Sequence, residues 1–429
     1  MITAVLTGVG TVCAFGSGVG ELWRGLAEGR SAVAPVRQFS AANLGVQVAG
    51  EATAADIDAE WIRTQLPPDM AITLEAKLQA LQLRGALRDR KLGFAVVAAA
   101  EAWTMAGLGE ADRDLPLILA HGLEHGFPED FAPLLRNGRV DWRLANTESG
   151  SVRMRSPVDA AGRAIRQLFG LRGPLVAPVS ACAAGAMAVA DAAQMVARGE
   201  ADLVLCGATD SMLNPLGMGG MARLGAPSPR AEVDACRPFD VRRDGLAMGE
   251  GAAVFVVENA ERARARGATP LAVVLGAGTS QDAFRATAPL PDGSAAARAI
   301  MVALRSARLA PSELGYVNAH GTGTPLNDPA ECRALHAALG AHAELVPVSS
   351  IKGAIGHLMA AAGAVEIAAS LLAFQRDLLP GTAHHQQRDP VCDVDVIGEQ
   401  PRRARIDVLL SNSFGFGGQN CAVVLGRAP

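Results

Sequence analysis

Two distant stretches of this sequence repeat one order of strand, glycine turn and small-residue helix, and that repetition limits the fold more than any other feature. Ile2-Thr-Ala-Val-Leu-Thr-Gly-Val-Gly-Thr11 reads as a strand running into a glycine turn, and Leu271-Ala-Val-Val-Leu-Gly-Ala-Gly-Thr-Ser280 echoes it. Helices are expected after each, over 92–108 and 295–309. The echo continues. Pro174-Leu-Val-Ala-Pro-Val-Ser-Ala-Cys and its small-residue helix match Leu345-Val-Pro-Val-Ser-Ser-Ile-Lys-Gly with a helix over 356–374, and Ala201-Asp-Leu-Val-Leu-Cys-Gly-Ala matches Ile406-Asp-Val-Leu-Leu-Ser-Asn-Ser. The simplest solution is one βα arrangement copied in tandem, as halves 1–258 and 259–429, joined near the charged stretch Glu258 to Thr269. Matched strand ends of two such halves converge on one crevice.

Cys182 sits at one of those strand ends. It follows the apolar run Gly173 to Val179 and opens a helix over 183–197 that is almost all Ala, Met, Val and Gly. Free N–H groups and the positive end of a helix dipole favour a thiolate there, the nucleophilic form of cysteine. An isolated cysteine is equally at home as a small buried hydrophobe. Partners elsewhere must decide.

Composition bounds those partners. Half of the 429 residues are hydrophobic but only 4% are aromatic, so the interior must be filled by Ala, Val, Leu and Gly. No run of about eighteen uncharged apolar residues appears and the N-terminus lacks a signal-peptide pattern, which predicts a soluble, cytoplasmic protein without a membrane partner. The seven cysteines form no C-x-x-C pair, so neither a disulfide framework nor a metal site is expected. A net charge of −4 gives no reason to expect nucleic acid. Cationic residues are nearly all arginine; the lysines are Lys77, Lys91 and Lys352.

Three motifs of the second half supply candidate partners. Asn318-Ala-His-Gly-Thr-Gly-Thr-Pro-Leu-Asn-Asp328 places His320 at a strand exit. Lys352-Gly-Ala-Ile-Gly-His357 places a lysine and a histidine over another strand-to-helix turn. Ser411-Asn-Ser-Phe-Gly-Phe-Gly-Gly418 is a glycine-rich turn of the kind that lets backbone N–H groups approach a substrate oxygen. Singly, each has a plain structural use: a histidine capping a turn, a surface charge, a tight hairpin. Four such motifs in this order, each at a strand end, are not a chance assembly.

With these motifs the chain resembles the β-ketoacyl-acyl-carrier-protein synthases, elongating ketosynthases of the thiolase superfamily, over essentially its whole length. Ala235-Cys-Arg-Pro-Phe-Asp and Asp244-Gly-Leu-Ala-Met-Gly-Glu-Gly are further signatures. The resemblance implies an α/β, thiolase-like five-layered αβαβα fold built from two duplicated halves, and decarboxylative Claisen condensation of an acyl primer with malonyl-acyl-carrier-protein. It implies Cys182 as the acylated nucleophile, His320 and His357 as donors to the malonyl-derived enolate, and Lys352, paired with Glu366, as the group that orients the site. Asp328 and Glu331 would support the His320 loop, Thr322 and Thr324 would bind the pantetheine arm, and Phe416 would gate the acyl pocket. The backbone N–H groups of Cys182 and Phe416 would bind the acyl-enzyme oxyanion. The chain would need no cofactor of its own, the phosphopantetheine arm coming from the acyl carrier protein, and would dimerise with itself or with a paralogous ketosynthase-like subunit.

The likeness is thin between about residues 40 and 160. Ala120-His-Gly-Leu-Glu-His-Gly126 stands where the family has a Gly-Ser-Gly-rich turn, and Met221 stands where a pocket-lining phenylalanine is common. Two other classes remain open: a non-catalytic chain-length-factor-like subunit, which would lack the nucleophile, and a thiolase or acyltransferase using a second cysteine, for which Cys421 is the candidate. An acidic carrier protein asks for a local basic patch. Arg84, Arg88, Arg90 and Lys91 are its expected site, with Arg237 to Arg243 as the alternative.

Overall fold

The computed structural model describes residues 2–52, 64, 75–80, 89–122, 135–136, 139–140 and 157–429. The strands that matter here are β1 (Ala4–Cys13), β2 (Leu117–His121), β3 (Leu175–Val176), β4 (Leu203–Ser211), β5 (Met248–Asn259), β6 (Ala272–Gln281), β7 (Tyr316–Asn318), β8 (Pro347–Ser349), β9 (Val408–Phe414) and β10 (Gln419–Arg427). In space they run β3-β2-β4-β5-β1, then β6-β10-β9-β7-β8. The second list is the first in mirror order. Pairing mirrors it too: β1 to β5 and β5 to β4 are antiparallel and β4 to β2 to β3 parallel, while β6 to β10 and β10 to β9 are antiparallel and β9 to β7 to β8 parallel. The halves meet where Ala4, Val5 and Leu6 of β1 pair with Val274, Val273 and Ala272 of β6.

The echoed glycines lie inside strands, not in the turns expected of them. A Cβ at Gly8 or Gly10 would fall 2.2 or 2.1 Å from the carbonyl oxygens of Ala102 and Ala98 in helix α1 (Arg90–Met105). A Cβ at Gly278 would fall 2.2 Å from the Ala299 oxygen, and one at Gly276 2.5 Å from the Ala307 nitrogen, both in α5 (Ser294–Ala307). Each glycine pair therefore lets a helix lie directly on its strand, and a register shift interrupts both strands at matching places, between Leu6 and Gly8 and between Val274 and Gly276.

Helices complete five layers. α1 and α2 (Ala160–Phe169) cover the outer face of the first half, α5 and α6 (Asn327–Leu339) that of the second, and α3 (Ala184–Ala197) packs on α7 (Ala362–Arg376) between them. Contact between the central pair is at backbone distance: a Cβ at Gly185 would come 2.7 Å from the Ala364 nitrogen, and one at Gly363 2.9 Å from the Ala186 nitrogen. Alanine and glycine thus build an interior that the scarcity of aromatic residues predicted. Among the described residues, no helix is long and apolar enough to cross a membrane.

Candidate active site

The parallel strands β3, β2 and β4 of one half and β8, β7 and β9 of the other end on a common crevice, where their loops supply the side chains. After β3 the chain makes a single 3-10 turn, Ala181–Ala183, and enters α3 without a break. Ala181 takes φ 45, a left-handed conformation that a Cβ disfavours. The strained turn faces the loop after β9, where a Cβ on Gly415 would lie 3.0 Å from the Ser180 oxygen and 3.2 Å from the Cys182 nitrogen. Glycine at 415 lets that loop close on Cys182, and the Phe416 N–H beside the thiol favours its ionised form.

A resting thiolate was expected at Cys182; the environment opposes it. The residue is 7% exposed. Burial pushes the thiol up to about 11, against the opposing pull of the Phe416 N–H and the Lys352 charge. A helix start alone does not reveal how dry the position is.

β7 delivers His320. Glu331 of α6 holds its loop from behind, accepting from the His320 N–H at 2.8 Å and the Gly321 N–H at 2.7 Å, and Asn412 of β9 donates to the same carboxylate at 3.2 Å. Asp328 accepts from the Phe239 N–H at 2.8 Å and from the Gly323 N–H at 3.2 Å. Phe239 belongs to the Ala235-Cys-Arg-Pro-Phe-Asp signature, so that motif clamps the histidine loop. Gly321 has φ 38, and a Cβ there would meet Ser350 at 2.6 Å.

β8 leads into a short helix, Lys352–Ile355, then His357 and a 3-10 turn, Met359–Ala361, before α7 begins. The helix expected to start at Gly356 is thus delayed. The second signature pins this detour: His357 N–H donates to the Ala247 oxygen at 2.8 Å, and Gly249 N–H to the His357 oxygen at 2.8 Å. Lys352, buried, donates to Glu366 of α7 and to the His320 carbonyl, and its ammonium stands 3.4 Å from His320 Nδ1. Burial raises the Glu366 carboxyl to about 7, against the pull of Lys352.

The two imidazoles stand edge to face, with centroids 5.3 Å apart. Burial first and the Lys352 charge second hold both well below the ordinary histidine range, with His357 adding to the effect on His320. Both are neutral at pH 7. His357 Nδ1 accepts the Met359 N–H at 3.2 Å, so its proton is on Nε2; the Lys352 ammonium beside His320 Nδ1 assigns His320 the same tautomer. The site therefore carries two fixed, uncharged N–H donors.

Cys182, His320, His357, Thr322, Thr324 and Phe416 line one cavity of about 430 Å³. The two threonine hydroxyls bond each other at 2.9 Å. A second chamber of about 390 Å³ opens on the far side of Cys182, and Met221, Leu224, Met359 and Phe416 border both. Met221 is carried by α4 (Pro215–Leu224), which Asn214 caps by accepting the Gly217 N–H at 2.9 Å. Asp328, Glu331 and Glu366 lie behind the cavity wall. Sequence reasoning missed His121 and Asp210, which line the second chamber; the unusual Ala120-His-Gly turn was the only signal.

Of the expected docking patch, the two described cations are engaged with carboxylates. Lys91 is 2% exposed and paired with Asp89, and Arg90 bonds Glu250 and the Ala52 oxygen. Arg84 and Arg88 lie outside the described residues. The alternative stretch is also committed inward: Arg237 pairs with Asp234, Arg242 with Asp240, and Arg243 with Asp389. A run of cations in sequence does not report which of them have buried carboxylates to meet. Cys421, the candidate second cysteine, is fully buried within β10, and burial pushes it up to about 12.

A five-layered α/β fold that brings one cysteine and two neutral imidazoles onto a single cavity defines a condensing enzyme of the thiolase-like class. Family profiles agree: "Beta-ketoacyl synthase, N-terminal domain" matches residues 3–263 and "Beta-ketoacyl synthase, C-terminal domain" residues 271–386. The chain is 36% identical over 423 residues to a Synechocystis 3-oxoacyl-[acyl-carrier-protein] synthase 2, covering 97% of this chain and 96% of that one. Two solved structures superpose over 100% of both chains: a type II polyketide ketosynthase, bound to a hexaketide, in complex with its acyl-carrier protein, with TM-score 0.83 and 28% identity, and the ishigamide ketosynthase/chain length factor, with TM-score 0.82 and 30% identity. The chain belongs to the beta-ketoacyl synthase family, and is a ketosynthase of thiolase-like fold.

Proposed function

We propose that the protein condenses an acyl primer, held as a thioester on Cys182, with malonyl-acyl-carrier-protein, giving 3-oxoacyl-acyl-carrier-protein in fatty-acid or polyketide-type chain elongation. The observation that carries this is the pair of neutral Nε2–H donors sharing a cavity with Cys182. Cys182 sulfur attacks the primer thioester and the carrier thiol departs with the proton. Malonyl thioester then loses CO₂, and the electron pair left behind becomes an enolate whose oxygen meets His320 and His357. Uncharged donors suit this step, since they stabilise the enolate without protonating it. The enolate carbon bonds the acyl carbonyl carbon, whose oxyanion meets the backbone N–H groups of Cys182 and Phe416, and the Cys182 thiolate leaves. No step asks for a cofactor beyond the carrier's pantetheine, for which Thr322 and Thr324 are the assigned hydroxyls.

The two structural relatives support two partners of this proposal, an acyl carrier protein and a paralogous subunit of the chain-length-factor kind; a second copy of the chain is the alternative to the latter. Among the described residues, exposed Arg285 lines the cavity and exposed Arg223 lines the groove beside it, and we assign both to carrier docking. The free, buried cysteines fit a reducing, cytoplasmic setting. A non-catalytic subunit has no use for this cysteine and histidine set, and a two-cysteine thiolase mechanism finds no second thiol on the cavity.

The test is intact-protein mass spectrometry with acyl and malonyl carrier thioesters. The wild-type protein gains the acyl mass, while Cys182→Ala gains none yet still decarboxylates malonyl carrier protein. Acyl transfer surviving in Cys182→Ala, with the label on Cys206 or Cys421, would defeat the assignment.

A further inference from the structure

The detour that carries His357 lies across the ends of β5 and β4. Glycines make the first contact: a Cβ at Gly249 would fall 2.7 Å from the Ile355 oxygen, and one at Gly251 3.0 Å from Leu358 Cδ2. One strand further on, Asp210 pairs in register with Gly251 and reaches the same detour with its side chain. It is 2% exposed, and its Oδ2 accepts the Ala360 N–H at 2.9 Å. Its Oδ1 lies against Gly122, where a Cβ would come within 1.8 Å of it. The carboxylate is thus boxed between a bare strand end of the first half and the Met359–Ala361 turn of the second.

That turn has a task at the site. Its Met359 N–H donates to His357 Nδ1 at 3.2 Å, which leaves the imidazole proton on Nε2. Met359 itself takes φ 49, a left-handed conformation that a Cβ disfavours, so the turn needs support from outside. Asp210 provides it. A backbone N–H bonded to a carboxylate makes a hydrogen bond about twice as strong as a neutral one. The turn also runs directly into α7, whose positive end favours an anion there.

The groups around this carboxylate are known. Cys182 borders the second chamber with it, and the Asp210 charge works against ionisation of the thiol. His121 is in register with Thr209, whose hydroxyl bonds the Lys91 oxygen, so its ring, without a hydrogen-bond partner, lies behind the sheet with Lys91 and Asp89. Glu250 pairs with Ser211 and is held by Arg90. Burial raises Asp210 to about 6, against the pull of Lys91 and the Ala360 N–H, which leaves it mainly ionised at pH 7.

Resting on the proposed condensing function, we infer that Asp210 is a positioning residue for malonyl decarboxylation: by holding the Met359–Ala361 turn, it keeps the His357 imidazole in the place and tautomer from which Nε2–H meets the enolate. It takes no part in the bond-making steps.

The experiment follows two rates in the full-length protein: CO₂ release from malonyl carrier protein, and acylation of Cys182 by octanoyl-pantetheine, read by mass spectrometry. Asp210→Leu offers the Ala360 N–H no acceptor, so kcat for decarboxylation is expected to fall by about 10–10²-fold with KM little changed. Acylation should stay at or above the wild-type rate, because the charge that opposes the thiolate is gone. Asp210→Asn, which keeps an acceptor but not the charge, should restore most of the decarboxylation. Should Asp210→Leu fail to fold, Asp210→Ser, too short to reach the Ala360 N–H, and Asp210→Asn still decide. Decarboxylation unchanged in Asp210→Leu, lost equally in Asp210→Asn, or lost in step with acylation overturns the inference alone. No CO₂ release by the wild-type protein overturns the condensing function and the inference with it.

Discussion

Two turns of this molecule occupy matched places, after β3 and after β8, and they have diverged in opposite senses. The Cys182 turn is the shorter: residues 177–183 link strand to helix and end in one 3-10 turn, with its strain at Ala181, that aims the thiol into the crevice. The other is extended by the Lys352–Ile355 helix and the Met359–Ala361 turn, and uses that length to hold a lysine and a histidine in one dry pocket. Duplication supplied a common frame. What the comparison teaches is that nucleophile and electrostatic apparatus can be separated between copies, each tuned by the length of one loop.

If the division holds, removing the electrostatic side should leave the nucleophile working. His320→Ala and His357→Ala are expected to keep acylation of Cys182, seen as mass gain, while decarboxylation of malonyl carrier protein falls by about 10²–10³-fold each. Loss of acylation in both, together with loss of alkylation by iodoacetamide, would replace the division with a cysteine–histidine pair.

The longer turn depends on its buried ion pair. Lys352→Ala leaves Glu366 without its cation in a site that water does not reach, and should lower unfolding free energy in urea by about 3–5 kcal/mol. The double variant Lys352→Met/Glu366→Leu should be markedly more stable than the single one. If both lose the same amount, Lys352 matters for something other than charge compensation.

The short turn makes a prediction about pH. With the Cys182 thiol at about 11, its thiolate fraction rises about tenfold for each unit between pH 7 and 10, so alkylation mapped to Cys182 should climb log-linearly across that range. A plateau already reached at pH 8 would mean that the helix start overcomes burial.

Smallest is the effect of the cavity mouth. Arg223→Glu/Arg285→Glu should raise KM for carrier-bound substrate several-fold at low salt and leave pantetheine substrates unaffected, because exposed charges each contribute about 0.2–1 kcal/mol. An unchanged KM places carrier docking on another surface.

The sequence made legible whatever depended on backbone pattern. The paired Gly-x-Gly strands, the small-residue helices and the strand-end motifs carried the duplicated fold, and with it the convergence of Cys182, His320, Lys352 and His357. It did not show which way long or dry side chains face. Lys91 belongs to a basic run, yet points inward to Asp89; Cys182 starts a helix, yet burial outweighs the helix end. Glu250, by contrast, sat in a quoted signature without an assigned role, and proves to join Arg90, Ser211 and Gln38 beneath the first half. His121 was visible only as a departure from the family turn, because an unpartnered histidine is a property of its surroundings and not of its neighbours in sequence.

The contact of α3 with α7 through Gly185 and Gly363 has a consequence for how such a protein can change over time. Where two helices touch backbone to backbone, neither offers a side chain that can be trimmed or enlarged without moving the other, and with it Cys182 or His357. Variation in what the enzyme accepts is thereby channelled to the opposite wall, where Met212, Leu216, Met221 and Leu224 can change size independently of the reacting groups. One face of the pocket is fixed by construction and the other is left free to drift.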